Sequence, residues 1–215
     1  MPVYRFGDML VDPQRYPWGY QFASEWFDDF ESGNLDEWNV VSAYFEIKTD
    51  RVYSGMYSAG ASSDDFGSTP EILAEKILPE GLYGQQISKV EFYWLESDDS
   101  RGMALYLVDK DNNDVIGVGS DNPEWMVFDN NGVSQVHSGS AYETWHKIEI
   151  LLDWGFGTCT VKWTPDGGSE SVFPDLPMIK ATNVAKISIR SFTTCPDDPI
   201  EAFFHNWFDN FLVEL

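Results

Sequence analysis

Two nearly identical aromatic segments lie near opposite ends of the chain and limit what it can fold into. Residues 26–28 and 207–209 both read Trp-Phe-Asp, and each copy is followed by a phenylalanine, Phe30 or Phe211. Aromatic residues and a two-residue alternation of polarity are typical of β-strands. We predict that segments 25–31 and 206–211 are the first and last strands of one domain and pair with each other. This pairing would place carboxylates near one edge of a sheet.

The residues between these segments indicate many short strands separated by turns. No stretch shows a sustained 3.6-residue apolar period, and short strands bounded by turns are typical of sandwiches and barrels. We therefore predict an all-β fold, an antiparallel two-sheet β-sandwich of the jelly-roll type over residues 25–215. The expected strands are 45–49, 57–61, 72–76, 89–96, 103–108, 115–119, 124–128, 133–137, 145–152, 158–164, 184–191 and 207–214.

Two polar segments have the composition of hairpin turns, residues 111–114 and 129–132. The first of them belongs to a longer run, Asp-Lys-Asp-Asn-Asn-Asp at 109–114, which begins like a calcium-binding loop. Such a loop needs glycine at its sixth position and glutamate at its twelfth, and here these positions hold Asp114 and Ser120. We interpret the run as a polar turn.

Residues 1–24 differ from the rest of the chain and are predicted to form an extended N-terminal arm. Three prolines break any long element there. The same stretch carries six aromatic residues, which argues against a solvated tail. We expect the arm to pack on its own domain, on a neighbouring subunit of a homo-oligomer, or on a larger assembly.

The charge balance excludes some partners and favours others. The chain has 36 acidic and 13 basic residues, a net charge of −23 at pH 7. Such a chain repels nucleic-acid phosphates and anionic membranes, and it attracts cations. Two interpretations remain open: the protein works in high salt, where its self-repulsion is screened, or it binds several divalent ions.

The two cysteines, Cys159 and Cys195, are too few for a disulfide framework. They could pair, or they could be a core thiol and a loop thiol. The N-terminal residues lack the apolar stretch of a secretory signal peptide, and no apolar run approaches the length of a membrane span. If the protein is extracellular, we expect another route of export, such as assembly into a particle released on lysis.

Several short motifs resemble those of jelly-roll domains. Phe-Glu-Ser-Gly at 30–33 precedes Trp38, Val-Tyr-Ser-Gly-Met-Tyr-Ser-Ala occupies 52–59, and Phe-Asp-Asn-Phe-Leu-Val occupies 208–213. The segment from Trp145 to Ile150, with the Asp-Gly turn at 166–167, is similar to a hairpin of laminin G-like domains. Residues 25–215 therefore resemble concanavalin A-like sandwiches, including carbohydrate-binding modules and MAM-type domains.

This resemblance implies a structural calcium ion. In such modules a glutamate on the first strand and an aspartate on the last strand commonly bind the ion, and backbone carbonyls complete its shell. Here these residues correspond to Glu31 and Asp209, with carbonyls near Ser54 and Gly55. Calcium prefers six to eight oxygen ligands and tolerates irregular geometry. The alternative is that both carboxylates are solvated.

Lectin-like modules stack sugar rings on exposed aromatic side chains. The candidates here are Trp94, Tyr106, Trp125 and Trp154, because each lies beside polar or turn residues, although any one of them could instead belong to the core.

No nucleophile elbow, zinc-protease motif, phosphate-binding loop or dinucleotide fingerprint is present. The active-site pattern of jelly-roll glucanases, Glu-x-Asp-x-x-Glu, is also missing.

We predict a non-enzymatic structural or adhesion module of a larger extracellular assembly. A virion surface protein, such as a capsid-decoration, turret or tail-fibre protein with host glycans as ligands, fits best. The alternatives are a polysaccharide lyase or glycoside hydrolase on the same fold, and a free carbohydrate-binding module.

Overall fold

The computed structural model describes residues 4–6, 9–11, 24–40, 42–63, 71–97, 102–121, 124–138, 143–191 and 204–215. These ranges contain strands and turns and no α-helix, which confirms the predicted all-β fold. None of their segments is a helix that is long and apolar enough to cross a membrane.

Two antiparallel sheets form the sandwich. The seven-stranded sheet has the order β12-β11-β10-β9-β16-β7-β4. Its strands are, in chain order, β4 (Asn39–Val40), β7 (Glu71–Ile77), β9 (Met103–Val108), β10 (Asp114–Asp121), β11 (Glu124–Asp129), β12 (Gly132–Ser138) and β16 (Lys186–Ser191).

The second sheet has eight strands and contains both ends of the described sandwich. Its order is β15-β14-β13-β8-β17-β6-β5, and β3 pairs with β17 beside this path. Its strands are β3 (Glu25–Asp28), β5 (Phe45–Lys48), β6 (Ser58–Ser63), β8 (Lys89–Glu96), β13 (His146–Asp153), β14 (Thr158–Pro165), β15 (Ser171–Pro177) and β17 (Phe204–Glu214).

The first and last strands of the sandwich pair as predicted. Strand β3 runs antiparallel to the end of β17, with Asp28 opposite Phe211 and Trp26 opposite Val213. The two Trp-Phe-Asp copies are nevertheless not opposite each other, because residues 207–208 pair with β6 instead. Strand β17 lies inside the sheet between β8 and β6, so the expectation of carboxylates at a sheet edge is wrong for Asp209.

The core lies between the two sheets and is rich in aromatic residues. Strand β13 alternates buried and less buried positions, so that Ile148 and Ile150 face inward while Lys147 and Glu149 face outward. The last-strand aromatics Phe208 and Phe211 are both fully buried and join Phe92 in this core. Burial of apolar area of this kind is the main force that holds two sheets together.

Three elements differ from the sequence prediction. Strand β15 was not predicted, because it contains Pro174 and Asp175, whose backbone is left-handed. Both residues are tolerated because β15 is the outer strand of its sheet. Strand β4 is a two-residue pairing with β7 and was also missed. In the N-terminal arm, β1 (Tyr4–Phe6) and β2 (Met9–Val11) form a hairpin, although the prolines of the arm pointed to no regular element.

The remainder of the arm and Cys195 lie outside the described residues. Cys159 is a buried thiol that is free among the described residues. Its pairing with Cys195 stays open, because Cys195 is not among them. Burial raises the pKa of the Cys159 thiol to about 12, so this side chain behaves as a small apolar core residue.

Candidate functional site

The four aromatic residues predicted to bind sugars do not form one surface. Trp94 and Trp125 lie between the two sheets, where both side chains are fully buried and their rings meet edge to face. The Trp94 indole donates a hydrogen bond to Asn206 Oδ1 at 2.6 Å. Neither ring can stack on a sugar, so the expectation that they form exposed platforms is corrected: these two residues belong to the core.

Tyr106 and Trp154 are only partly buried and lie in different parts of the sandwich. Trp154 follows β13, packs against the core, and donates its indole N–H to the carbonyl oxygen of Ile87 at 2.7 Å. Tyr106 lies on β9 between the inward-facing residues Leu105 and Leu107, so its side chain is on the outer face of the seven-stranded sheet. A ligand role for either residue remains a prediction.

The neighbours of Tyr106 form a row across four strands on this outer face. Gly117 of β10 is the direct partner of Tyr106 on one side and of Phe128 of β11 on the other. Ser188 of β16 is the partner of Tyr106 on the opposite side. We call Phe128, Gly117, Tyr106 and Ser188 the aromatic row.

Gly117 explains why the Tyr106 ring lies close to the sheet. A Cβ atom at Gly117 would stand 2.6 Å from the nearest Tyr106 ring atom, so the ring leans over the glycine backbone. The ring centroids of Tyr106 and Phe128 are 5.4 Å apart, with an interplanar angle of 36°. Glycine inside a strand commonly marks such a close approach.

Arg190 covers the Tyr106 ring and is fixed by three hydrogen bonds. Its guanidinium carbon lies 4.4 Å from the Tyr106 ring centroid. Nη1 and Nη2 donate to the two carboxylate oxygens of Asp114 at 3.0 and 2.7 Å, and Nε donates to Ser188 Oγ at 3.0 Å. A bidentate pair stacked on an aromatic ring holds the guanidinium plane in a defined orientation.

The electrostatics of this face keep Tyr106 protonated near neutral pH. Burial raises the pKa of Tyr106 to about 12, and the Asp114 carboxylate adds to the rise while Arg190 opposes it. Glu75 lies on β7, two strands from Tyr106, and is the direct partner of Ser188. Its carboxylate also binds a cation, Lys186 Nζ, at 2.6 Å. The face therefore offers fixed donors and acceptors around the Arg190 guanidinium plane.

Sequence reasoning missed Arg190, Asp114 and Phe128, and a signal for them existed. Strand 184–191 was predicted, and within it Ser188 and Arg190 alternate with apolar Ile187 and Ile189. This alternation indicates that both polar residues leave the sheet on its outer side. What sequence could not supply is the order of strands that brings Arg190 to Asp114.

Glu31 and Asp209, the predicted calcium ligands, both bind the backbone of the loop at 50–57. Asp209 Oδ2 accepts from the N–H groups of Tyr53 and Ser54 at 3.0 and 3.1 Å. Glu31 Oε1 accepts from those of Met56 and Tyr57 at 2.7 and 2.9 Å. The two carboxylates therefore hold this loop against the outer face of the eight-stranded sheet.

The calcium ion expected beside this loop stays a prediction, because the loop presents N–H groups to the two carboxylates. Burial raises the pKa of Asp209 to about 6, and the negative charge of Glu31 contributes to the rise. A divalent cation near both groups would relieve this repulsion with oxygen ligands. In the described part of the chain no three His, Cys, Asp or Glu side chains gather around one point, so backbone carbonyls would have to complete the shell.

Asp109 occupies the first position of the run that begins like a calcium loop, and it serves as the centre of a turn. Its carboxylate accepts from the N–H groups of Asp111 and Asn113, from the Asn113 side-chain amide and from the Thr182 hydroxyl. Burial acts to raise the pKa of Asp109, but these hydrogen bonds outweigh it and hold the pKa below the usual value. The arrangement agrees with a polar hairpin turn.

Comparison with known proteins shows the fold of the chain. No protein-family model and no curated sequence matches it. Among solved structures, an endo-β-1,4-glucuronan lyase from the fungus Trichoderma reesei is similar at 13% identity and a TM-score of 0.60, over 88% of this chain and 94% of that one. Lectin II from Ulex europaeus is similar at 12% identity and a TM-score of 0.53, over 89% and 98%.

A sialidase is similar at 13% identity and a TM-score of 0.61, over 89% of this chain; the chain spans only 18% of the sialidase. Identities this low show the fold alone. The chain therefore has the concanavalin A-like jelly-roll fold that the sequence motifs indicated, a fold found in lectins and in enzymes that act on polysaccharides.

Proposed function

We propose that this protein is a glycan-binding jelly roll that holds sugar on the outer face of its seven-stranded sheet without cleaving it. The observation that carries the proposal is the stacking of Arg190 on Tyr106 while it is bound to Asp114 and Ser188. Sugar rings bind to such sites through stacking on flat groups and through hydrogen bonds with paired donors and acceptors.

The charge of the chain favours neutral glycans over acidic ones. At a net charge of −23 the protein repels polyanions over the range of the Debye length. Arg190 does not reverse this at the site, because Asp114 already neutralises it. Neutral glycans, which are rich in hydroxyl groups, meet no such repulsion. Their hydroxyls can form hydrogen bonds with both Arg190 and Asp114.

The enzymatic alternative, a lyase or hydrolase on the same fold, is less well supported by this face. Asp114 and Glu75 are each bound to a cation, whereas a hydrolase needs one carboxylic acid and one free carboxylate at the sugar. A lyase needs a base, and Tyr106, with its pKa of about 12, stays protonated at neutral pH. Release of shorter chains or of unsaturated ends from a polysaccharide by the purified protein would establish this alternative.

The test compares Arg190 with Arg51, an arginine of the loop between β5 and β6. Calorimetry with a soluble neutral β-glucan, a galactomannan and a polyuronate measures binding to wild type, to Arg190→Gln and to Arg51→Gln. Arg51 also pairs with an acid, Glu143, but on the eight-stranded side, and is the matched control. We expect neutral-glycan affinity to fall at least tenfold in Arg190→Gln only. Absence of binding by wild type, or equal loss in both variants, would overturn the proposal.

We further propose that the module works in a larger extracellular assembly, as a surface protein of a virion. The aromatic arm and the strongly acidic composition support this assignment. Mass spectrometry of purified particles from the source culture tests it. Presence of the chain in particles at a fixed ratio to their main protein is the expected result, and its recovery only as free protein would contradict it.

A further inference from the structure

One end of the sandwich carries several exposed apolar side chains. The turn between β13 and β14 presents Phe156, whose side chain is 85% exposed and lies between two glycines. Asp153 Oδ1 accepts from the N–H groups of Gly155 and Phe156, and Trp154 ties the turn to Ile87. The turn is therefore held in place while Phe156 points away from the core.

Backbone contacts connect this turn to other exposed apolar residues and to the chain end. The carbonyl of Gly157 accepts from Met178 N, next to the exposed Ile179. The carbonyl of Glu214 accepts from Ser88 N, beside Ile87, and the exposed Leu215 follows it. We call Phe156, Ile179 and Leu215 the end patch.

The N-terminal arm enters the sandwich at this same end. Leu215 N donates to the carbonyl oxygen of Ser24 at 2.9 Å, so the arm joins the body directly beside the end patch. In the arm, Arg5 and Arg15 balance Asp8 and Asp12, so residues 1–23 carry no net charge and the body carries all of the −23. The acidic body therefore does not repel the arm electrostatically.

We propose that the end patch is the docking surface for the aromatic arm of a second copy of this chain, so that two copies meet end to end and exchange arms. The hairpin of β1 and β2 pairs with neither sheet of its own sandwich. The link at 12–23 spans up to about 40 Å when extended, which is enough to reach a facing copy. The arm and the end patch lie at the same end of the sandwich. A two-fold dimer therefore forms both arm contacts at once and is a closed assembly.

Salt should strengthen this dimer. Two bodies of charge −23 repel each other at low ionic strength, whereas the contact between arm and patch is apolar and aromatic. Sedimentation equilibrium of the full chain at low and at molar sodium chloride measures this. We expect a monomer–dimer equilibrium that shifts toward the dimer in high salt. A chain that stays monomeric at every concentration and salt level, as it would if each arm covered its own patch, overturns the proposal.

Full-length variants locate the contact. Phe156→Ser removes the most exposed side chain of the end patch, and Trp18→Ser with Tyr20→Ser removes aromatic residues of the arm. We expect each variant to raise the dimer dissociation constant at least tenfold with an unchanged melting temperature. Val172→Ser is the control, since Val172 is an exposed apolar residue on the outer strand β15. Equal weakening by Val172→Ser would contradict a specific patch.

Mixing the two variants gives the sharper test. A mixed dimer can form one intact contact, between the arm of Phe156→Ser and the patch of the arm variant, whereas neither homodimer has any intact contact. The mixture should therefore dimerise more tightly than either variant alone, and an unchanged dissociation constant overturns the exchange. This outcome does not depend on glycan binding, because Arg190 lies on another surface.

Discussion

The ring of Tyr106 leans over the backbone of Gly117, and no side chain larger than hydrogen fits between them. The position for a Cβ atom at Gly117 is 2.6 Å from one Tyr106 ring carbon and 2.7 Å from another. Arg190 lies on the Tyr106 ring, so the Gly117 backbone, the ring and the guanidinium group form three stacked layers. The candidate sugar site is therefore set by a strand glycine as much as by the side chains that would touch a ligand.

Replacing Gly117 with alanine should displace this stack. The added methyl group cannot occupy its place unless the Tyr106 ring moves, which also removes the support of Arg190. We expect about 1–3 kcal/mol lower stability, the usual cost of overpacking, and at least a tenfold loss of glycan affinity. Denaturant unfolding and calorimetry measure the two effects.

The control is the double variant Gly117→Ala with Tyr106→Ala. Without the ring the methyl group has room, so the double variant should be more stable than the sum of the two single effects predicts. Simple additivity of the two losses would show that the ring and the glycine are not in contact.

The parts of this site that could be predicted from sequence are those fixed by local pattern. Alternation along 145–152 and 184–191 fixes which residues face the core, and the two Trp-Phe-Asp segments indicate the pairing of the chain ends. Trp94 and Trp125 were misassigned because polar neighbours in sequence do not indicate exposure in a strand, where adjacent residues face opposite sides. The Arg190–Asp114 pair joins residues that are 76 positions apart, and only the order of the strands brings them together.

Calcium should stabilise the protein through the loop at 50–57. Burial raises the pKa of Asp209 to about 6, with a smaller contribution from the charge of Glu31, and a cation beside both carboxylates offsets these two costs. At a concentration 100-fold above its dissociation constant, the ion would add about 2.7 kcal/mol, which corresponds to several degrees in melting temperature. Calorimetric scans with calcium and with chelator measure this difference.

The matched variants for the calcium experiment are Asp209→Asn and Asp153→Asn. Both wild-type carboxylates accept loop N–H groups, but only Asp209 lies near Glu31. We expect the calcium effect to vanish in Asp209→Asn and to persist in Asp153→Asn. An identical melting temperature of wild type in calcium and in chelator would rule out the ion.

Asp109 should make stability fall in acid. Its folded pKa lies below the unfolded value of about 3.8, so the folded state binds fewer protons and the contribution of Asp109 is complete above that value. It is lost as the pH falls from about 4 through the folded pKa. Asp109→Ala should therefore cost about 3 kcal/mol at pH 7 and clearly less at pH 3, as measured by urea unfolding. Asp111→Ala, at an exposed position of the same turn, is the control and should show only a small cost at pH 7.

Replacement of Trp94 by phenylalanine should separate a structural tryptophan from a ligand-binding one. The variant removes the indole N–H that donates to the buried Asn206 side chain and leaves Oδ1 without this donor. Trp125→Phe is the matched control, since its indole N–H has no hydrogen-bond partner among the described residues and both rings lose a similar volume. We expect Trp94→Phe to be less stable than Trp125→Phe by about 1 kcal/mol in denaturant unfolding, because the variant loses a buried hydrogen bond to Asn206. Glycan affinity should be the same in both, and an equal loss of stability in the two variants would show that the bond to Asn206 contributes nothing.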